Sequence, residues 1–70
     1  MSKFIKHCGR AFNIAFLEGL EAFDNDDAQE YRVTLYVQGA EFGFHEWFKS
    51  KEERDKRFDE IYKELNEDSA

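Results

Sequence analysis

The sequence predicts an α+β domain in which an antiparallel β-sheet of three or four strands packs against a C-terminal α-helix. Three observations point there. EYRVTLYVQGAEFGFHEWF (30–48) alternates apolar and polar residues around a glycine turn, the period of half-buried strands. SKEERDKRFDEIYKELNE (50–67) opens with a capping signature and continues at helical spacing. The 70 residues contain no proline, no repeat and no low-complexity tract, so residues 1–70 read as a single domain without a linker.

The helix is expected over 51–66. Ser50 followed by Glu53 forms a capping box, in which hydroxyl and carboxylate each satisfy an otherwise unpaired backbone N–H. Glu52, Glu53 and Asp55 sit where the helix dipole favours negative charge. Phe58, Ile61, Tyr62 and Leu65 make one apolar stripe, whereas the first two turns are nearly all charged, so only the second half is expected to dock firmly.

In the hairpin, Tyr31, Val33, Leu35 and Val37 alternate with Arg32, Thr34, Tyr36 and Gln38. A two-residue turn at Gly39–Ala40 with glycine first would be type II′ and would set Val37 opposite Phe42, Leu35 opposite Phe44 and Tyr31 opposite Phe48. One face is then apolar, interrupted by Glu46. The other groups Tyr36 with Gly43, Thr34 with His45 and Arg32 with Trp47, with Arg32 in cation–π reach of the indole. The expected core is Val33, Leu35, Val37, Phe42, Phe44, Phe48, Phe58, Ile61 and Leu65.

Residues 3–23 admit two readings. As a helix, Ile5, Cys8, Phe12, Phe16, Leu20 and Phe23 make an apolar stripe. As strands, AFNIAFLE puts Phe12, Ile14 and Phe16 on one face, with Gly19 marking a turn into LEAF. The balance tips to strands. Lys3 and Lys6 at one end and Glu18 and Glu21 at the other would oppose a helix dipole, two interior glycines would each cost about 1 kcal/mol, and a two-stranded hairpin needs further strands. DNDDAQ (24–29) reads as a loop.

Composition narrows the function classes. Eight Phe, three Tyr and one Trp supply a dense small core. Cys8 is the single cysteine, which excludes an intrachain disulfide and a cysteine-based zinc cage and fits a reducing cytoplasm. No apolar run is long enough to span a bilayer, and FIKHCGRAF does not read as a signal peptide, so a cytoplasmic protein without membrane contact is expected. The net charge is −6, and the six acids of residues 18–30 (Glu18, Glu21, Asp24, Asp26, Asp27 and Glu30) stand without a base among them. Without a basic cluster, direct sequence-specific nucleic-acid binding is not expected, and a protein with a basic surface is the better partner.

Motifs for chemistry are weak. DNDD lacks the glycine and closing glutamate of a calcium loop, with Ala28 and Gln29 at its fifth and sixth places. His7, Cys8 and His45 carry no metal-ligand spacing. Nothing pairs a nucleophile with an oriented base, so the expectation is no enzyme, no cofactor and no metal. The polar strand face is the odd feature, because it carries Tyr36, His45 and Trp47. Either it is covered, by the N-terminal segment or by a second copy in a homodimer, or it is an exposed aromatic patch flanked by Arg32. The second option suits protein contact, since Trp, Tyr and Arg dominate binding hot spots.

KFIK, NIAF, YRVTLYVQG, the glycine of FGF and the Phe48–Lys49–Ser50 step into a charged helix together resemble the small phage-encoded anti-CRISPR proteins that inhibit type I-F surveillance complexes. The resemblance spans most of the chain in short pieces. It implies an antiparallel sheet packed by a C-terminal helix, a non-enzymatic inhibitor acting in the host cytoplasm, and a target built of CRISPR effector subunits holding a guide RNA. The family's two contact tyrosines fall on His7 and Leu17 and its contact acid on Thr34, so no site residue transfers. The function expected is stoichiometric inhibition or modulation of a protein partner through Glu18, Glu21, Asp24, Asp26, Asp27, Glu30, Arg32, Tyr36, His45 and Trp47, the alternatives being a structural homodimer and, behind it, a small enzyme or metal-binding protein.

Overall fold

The computed structural model describes residues 3–69, with side chains described through residue 66. Among the described residues five strands precede one α-helix: β1 (Phe4–His7), β2 (Arg10–Asn13), a 3₁₀ turn (Ile14–Phe16), β3 (Leu17–Asn25), β4 (Glu30–Val37), β5 (Phe44–Phe48) and α1 (Lys51–Ser69). The strands form a separate β1–β2 hairpin and an antiparallel sheet ordered β3-β4-β5, so the fold is α+β.

Residues 3–23 form strands, but the turn lies elsewhere than at Gly19. Cys8 (φ 44°) and Gly9 (φ 79°) both occupy the left-handed region, the requirement of a two-residue type I′ turn, and His7 pairs with Arg10 across it. Asn13 then ends β2, its side-chain oxygen accepting from the Ala15 N–H at 3.0 Å to start the 3₁₀ turn. Gly19 lies inside β3, where the register shifts between Leu17 and Gly19 and leaves Glu18 as the extra residue of a bulge. A bulge and a turn draw on the same glycine signal; the long uninterrupted pairing from Gly19–Tyr36 to Asn25–Glu30 decides for the bulge. The DNDDAQ loop is correspondingly shorter, since Asp24 and Asn25 still belong to β3 and only 26–29 turn.

The β4–β5 register is as the alternation predicts, with Tyr31, Arg32, Val33, Thr34 and Leu35 facing Phe48, Trp47, Glu46, His45 and Phe44. The connection is not the expected tight turn. Ala40 N–H donates to the Val37 carbonyl at 3.1 Å and Gly39 (φ 83°) sits at the third turn position, which type II turns reserve for glycine. Val37 pairs with Leu17 of β3, and Gln38 N–H donates to the Phe16 carbonyl at 2.8 Å. β4 thus pairs with β3 as far as Val37, whereas on its other edge the chain loops out over 38–43 and pairing with β5 starts at Leu35–Phe44. The loop opens symmetrically about the expected turn, so the register survives. Phe42, expected in the core, is instead in that loop and 76% exposed.

Ile5, Tyr31, Val33, Leu35 and Ile61 form the buried apolar core, and Phe12, Ile14, Leu17, Leu20, Phe48, Phe58 and Leu65 pack around it. Val37 and Phe44 are half-buried. Because Ile5 joins Val33 and Leu35, the hairpin and α1 share the inner face of the sheet. The helix start matches its cap: Glu53 N–H donates to Ser50 Oγ at 3.1 Å. Its first turns, however, are docked as well. Arg54 is only 3% exposed, donates from Nη1 to the Phe23 carbonyl at 2.6 Å, and meets Asp24 at 2.5 Å and Asp55 at 2.7 Å. A charged first turn is here an anchored one, because arginine can bury its stem while its Nε and Nη1 are paired.

Candidate protein-binding face

Period-two alternation fixes what the outer face of β3-β4-β5 carries. Three rows cross it: Phe23, Arg32 and Trp47; Glu21, Thr34 and His45; Gly19 and Tyr36, with Gly43 beside them. The hairpin and the helix lie on the other side, so among the described residues no other element covers this face. Trp47 is 53% exposed, Phe23 39% and Tyr36 38%.

The first row is organised around a cation. The Arg32 guanidinium lies 4.4 Å from the Phe23 ring centroid and 5.6 Å from that of Trp47. It thus contacts both rings, as cation–π attraction favours. Its Nη2 donates to Glu21 Oε1 at 3.3 Å, and the same oxygen accepts from the Tyr36 hydroxyl at 3.1 Å. That bond, and secondarily burial, holds the Tyr36 phenol above its ordinary titration range, so it stays a donor. Glu21 is the hub that ties Tyr36 to Arg32 and, through it, to Phe23 and Trp47.

Two glycines complete the arrangement. A Cβ at Gly43 would stand 2.5 Å from Thr34 Cγ2 and 2.9 Å from Tyr36 Cε1, and a Cβ at Gly19 would touch Tyr36 Cδ2 at 3.5 Å. The tyrosine ring therefore spans the space that side chains at Gly19 of β3 and at Gly43, just ahead of β5, would otherwise fill. Ring and hydroxyl are both held, which leaves Tyr36 little rotamer freedom to lose on binding. Beneath it Thr34 is fully buried, and its hydroxyl shares a 2.7 Å hydrogen bond with His45 Nδ1. The exposed His45 ring leans on Trp47 with centroids 6.3 Å apart.

Arg32, Tyr36, His45 and Trp47 are thus brought together. The acidic residues are not. Glu21 belongs to the network and Glu30 follows Arg32 on the outer face by strand parity. Asp24 is on the inner face, clasped by Arg54 and by Lys51 at 3.1 Å, and these bonds, Arg54's foremost, hold its carboxyl below the usual carboxylate range. Asp26 accepts from the Tyr31 hydroxyl at 3.0 Å. Glu18 at the bulge and Asp27 in the turn are exposed and, with Glu30, hold no ion pair among the described residues. Phe23 is a member of the face that sequence reasoning missed; once β3 is known to pair Phe23 with Arg32, its place follows from the spacing to Glu21.

His7 and His45 lie on opposite sides of β5: His7 Nε2–H donates to the Phe44 carbonyl at 2.7 Å from the hairpin side. Among the described residues no three His, Cys, Asp or Glu side chains are grouped to hold a metal ion. No described helix is long and apolar enough to cross a membrane. What the outer face can do chemically is stack, donate and accept hydrogen bonds and bury aromatic area against another surface. Searches against protein families, curated proteins and solved structures return no match for this chain.

Proposed function

We propose that this protein acts by stoichiometric binding, without catalysis, inhibiting or modulating a protein partner that docks on the outer face of β3-β4-β5. The observation that supports this reading most is the open face built from Trp47, Arg32, Phe23 and Tyr36 with its side chains already held by Glu21, Gly19 and Gly43. Tryptophan, tyrosine and arginine are the residues that carry most binding energy, and side chains ordered in advance reduce the entropy lost on association. Arg32 and Glu21 neutralise each other at the centre, while the free acids Glu18, Asp27 and Glu30 and the net charge of −6 favour a basic partner. The same charge disfavours a second copy, whose acids would meet these.

The resemblance to type I-F anti-CRISPR proteins gives the finer form of the proposal, a phage-encoded inhibitor of a CRISPR effector complex in the host cytoplasm. Its test is binding to a purified type I-F surveillance complex and the resulting loss of guided DNA capture. Wild-type chain should bind and inhibit at one or a few copies per complex, and Trp47→Ala should do so at least tenfold more weakly. No binding by the wild-type chain rejects that target. A dimer in sedimentation that Trp47→Ala dissociates, with no other partner found, would mean that the face is a subunit interface.

A further inference from the structure

The β1–β2 hairpin is joined to the rest of the fold through a buried polar cluster that the outer face does not use. His7 on β1 is 2% exposed. Its Nε2 must carry a hydrogen, because its partner at 2.7 Å is the Phe44 carbonyl, which can only accept. Its Nδ1 lies 3.4 Å from Glu46 Oε1, and these two atoms are both buried without a hydrogen-bond partner among the described residues. If the ring is neutral, Nδ1 offers a lone pair to a carboxylate oxygen, and two acceptors face each other away from water. If Nδ1 is protonated as well, the two orphan atoms face each other as an ion pair at 3.4 Å, and a small approach would join them in one charge-assisted bond.

We propose that folded His7 is an imidazolium bridging Phe44 and Glu46, and that loss of its Nδ1 proton unlatches the hairpin from the sheet. The charges around it are consistent with a proton on the imidazole side. Arg57 of α1 places Nε 3.7 Å from the same Glu46 oxygen, pairs with Glu60 at 3.5 Å and donates to the Lys6 carbonyl, so a permanent cation flanks the carboxylate. On the hairpin side stand Lys6, Arg10 and Cys8. Burial foremost, and then Glu46, push the Cys8 thiol up, so it keeps its proton where imidazole loses its own. His7, Glu46 and Arg57 come from β1, β5 and α1, and one proton decides whether the His7–Glu46 contact at the centre of this cluster is an ion pair or two acceptors that repel. The consequence is a pH-sensitive seat for residues 4–13, independent of what binds the outer face.

The test is amide hydrogen exchange on the full chain between about pH 5.5 and about pH 8.5, corrected for intrinsic base catalysis, with the His7 ring nitrogens followed by ¹⁵N NMR. Hairpin amides such as Ile5 and Phe12 should lose roughly tenfold or more protection across that range while Val33 and Leu35 keep theirs. Both ring nitrogens should be protonated at the low end, with Nδ1 losing its proton as the hairpin loosens. In Glu46→Gln the introduced amide can donate to a neutral Nδ1, so the hairpin should stay seated at every pH. A His7 ring protonated on Nε2 alone at about pH 5.5, hairpin protection that ignores pH, or an unchanged pH dependence in Glu46→Gln would each overturn the proposal. Should Glu46→Gln fail to fold, the wild-type ring nitrogens decide.

Discussion

Tyr36 and Phe42 are both large aromatics in the hairpin, and their local sequence gives opposite impressions of their roles. Phe42 has the parity of a core residue, yet the turn closed by the Ala40 N–H and the Val37 carbonyl, with Gly39 at its third position, opens a loop where a two-residue turn was expected, and Phe42 lies in that loop. Phe42→Ala should therefore change stability by no more than about 0.5 kcal/mol, whereas Leu35→Ala, fully buried two residues along the partner strand from Val37, should cost about 2–5 kcal/mol. Denaturant melts of the two variants check this, and comparable losses would put Phe42 back in the core. Gly43→Ala is the complementary change. Its methyl group would meet Thr34 and the Tyr36 ring, so about 1–3 kcal/mol of destabilisation is expected, with a shift in the Tyr36 ring resonances. At this scale the sequence was partly legible. Alternation places Arg32, Tyr36, His45 and Trp47 on one face, but the glycines that make room for Tyr36 announce themselves only once the pairing of three strands is known.

The elements differ in how far local chemistry determines them. The Ser50 cap is local, and Ser50→Ala should cost about 1 kcal/mol by thermal melt. The anchoring of the first turns of α1 is not local: Arg54 reads as one more charge on a solvated helix, and only β3 explains why it is buried, by offering Asp24 and the Phe23 carbonyl. Asp24 makes that anchor pH-dependent. Its carboxyl is held below the ordinary range, first by the Arg54 bond and then by Lys51, so it contributes stability that is fully present above about pH 4 and is lost as the pH falls through its lower folded value. Stability measured from about pH 5 down to about pH 2 should therefore fall less steeply in Asp24→Asn than in the wild-type chain. An identical slope would show that the acid sensitivity resides elsewhere. The N-terminal strands were the least legible element, because Gly9 and Gly19 give the same signal. One completes a I′ turn with Cys8 and the other accompanies a bulge, a difference set by the partner strand each segment finds.

For the whole molecule, two elements could be read from pattern alone, the β4–β5 register and the C-terminal helix, and together they give the α+β architecture. Which side of the sheet the hairpin would cover could not be read, since both faces carry aromatics. The core contact of Ile5 with Val33 and Leu35 puts the hairpin beside α1 and leaves Trp47 and its neighbours in solvent. Trp47→Ala should accordingly leave the melt within about 1 kcal/mol of wild type, the scale of one exposed cation–π contact, and act instead on association. The most direct measurement is capture of proteins from a bacterial lysate by three immobilised chains: wild type, Trp47→Ala, and Tyr62→Ala as an exposed aromatic on the helix. The expected result is one partner complex held by wild type and Tyr62→Ala at matched stoichiometry and lost from Trp47→Ala, with its dissociation accelerated by roughly thirtyfold or more in surface-binding kinetics. Equal retention of that partner by folded Trp47→Ala would contradict a binding role for the outer face.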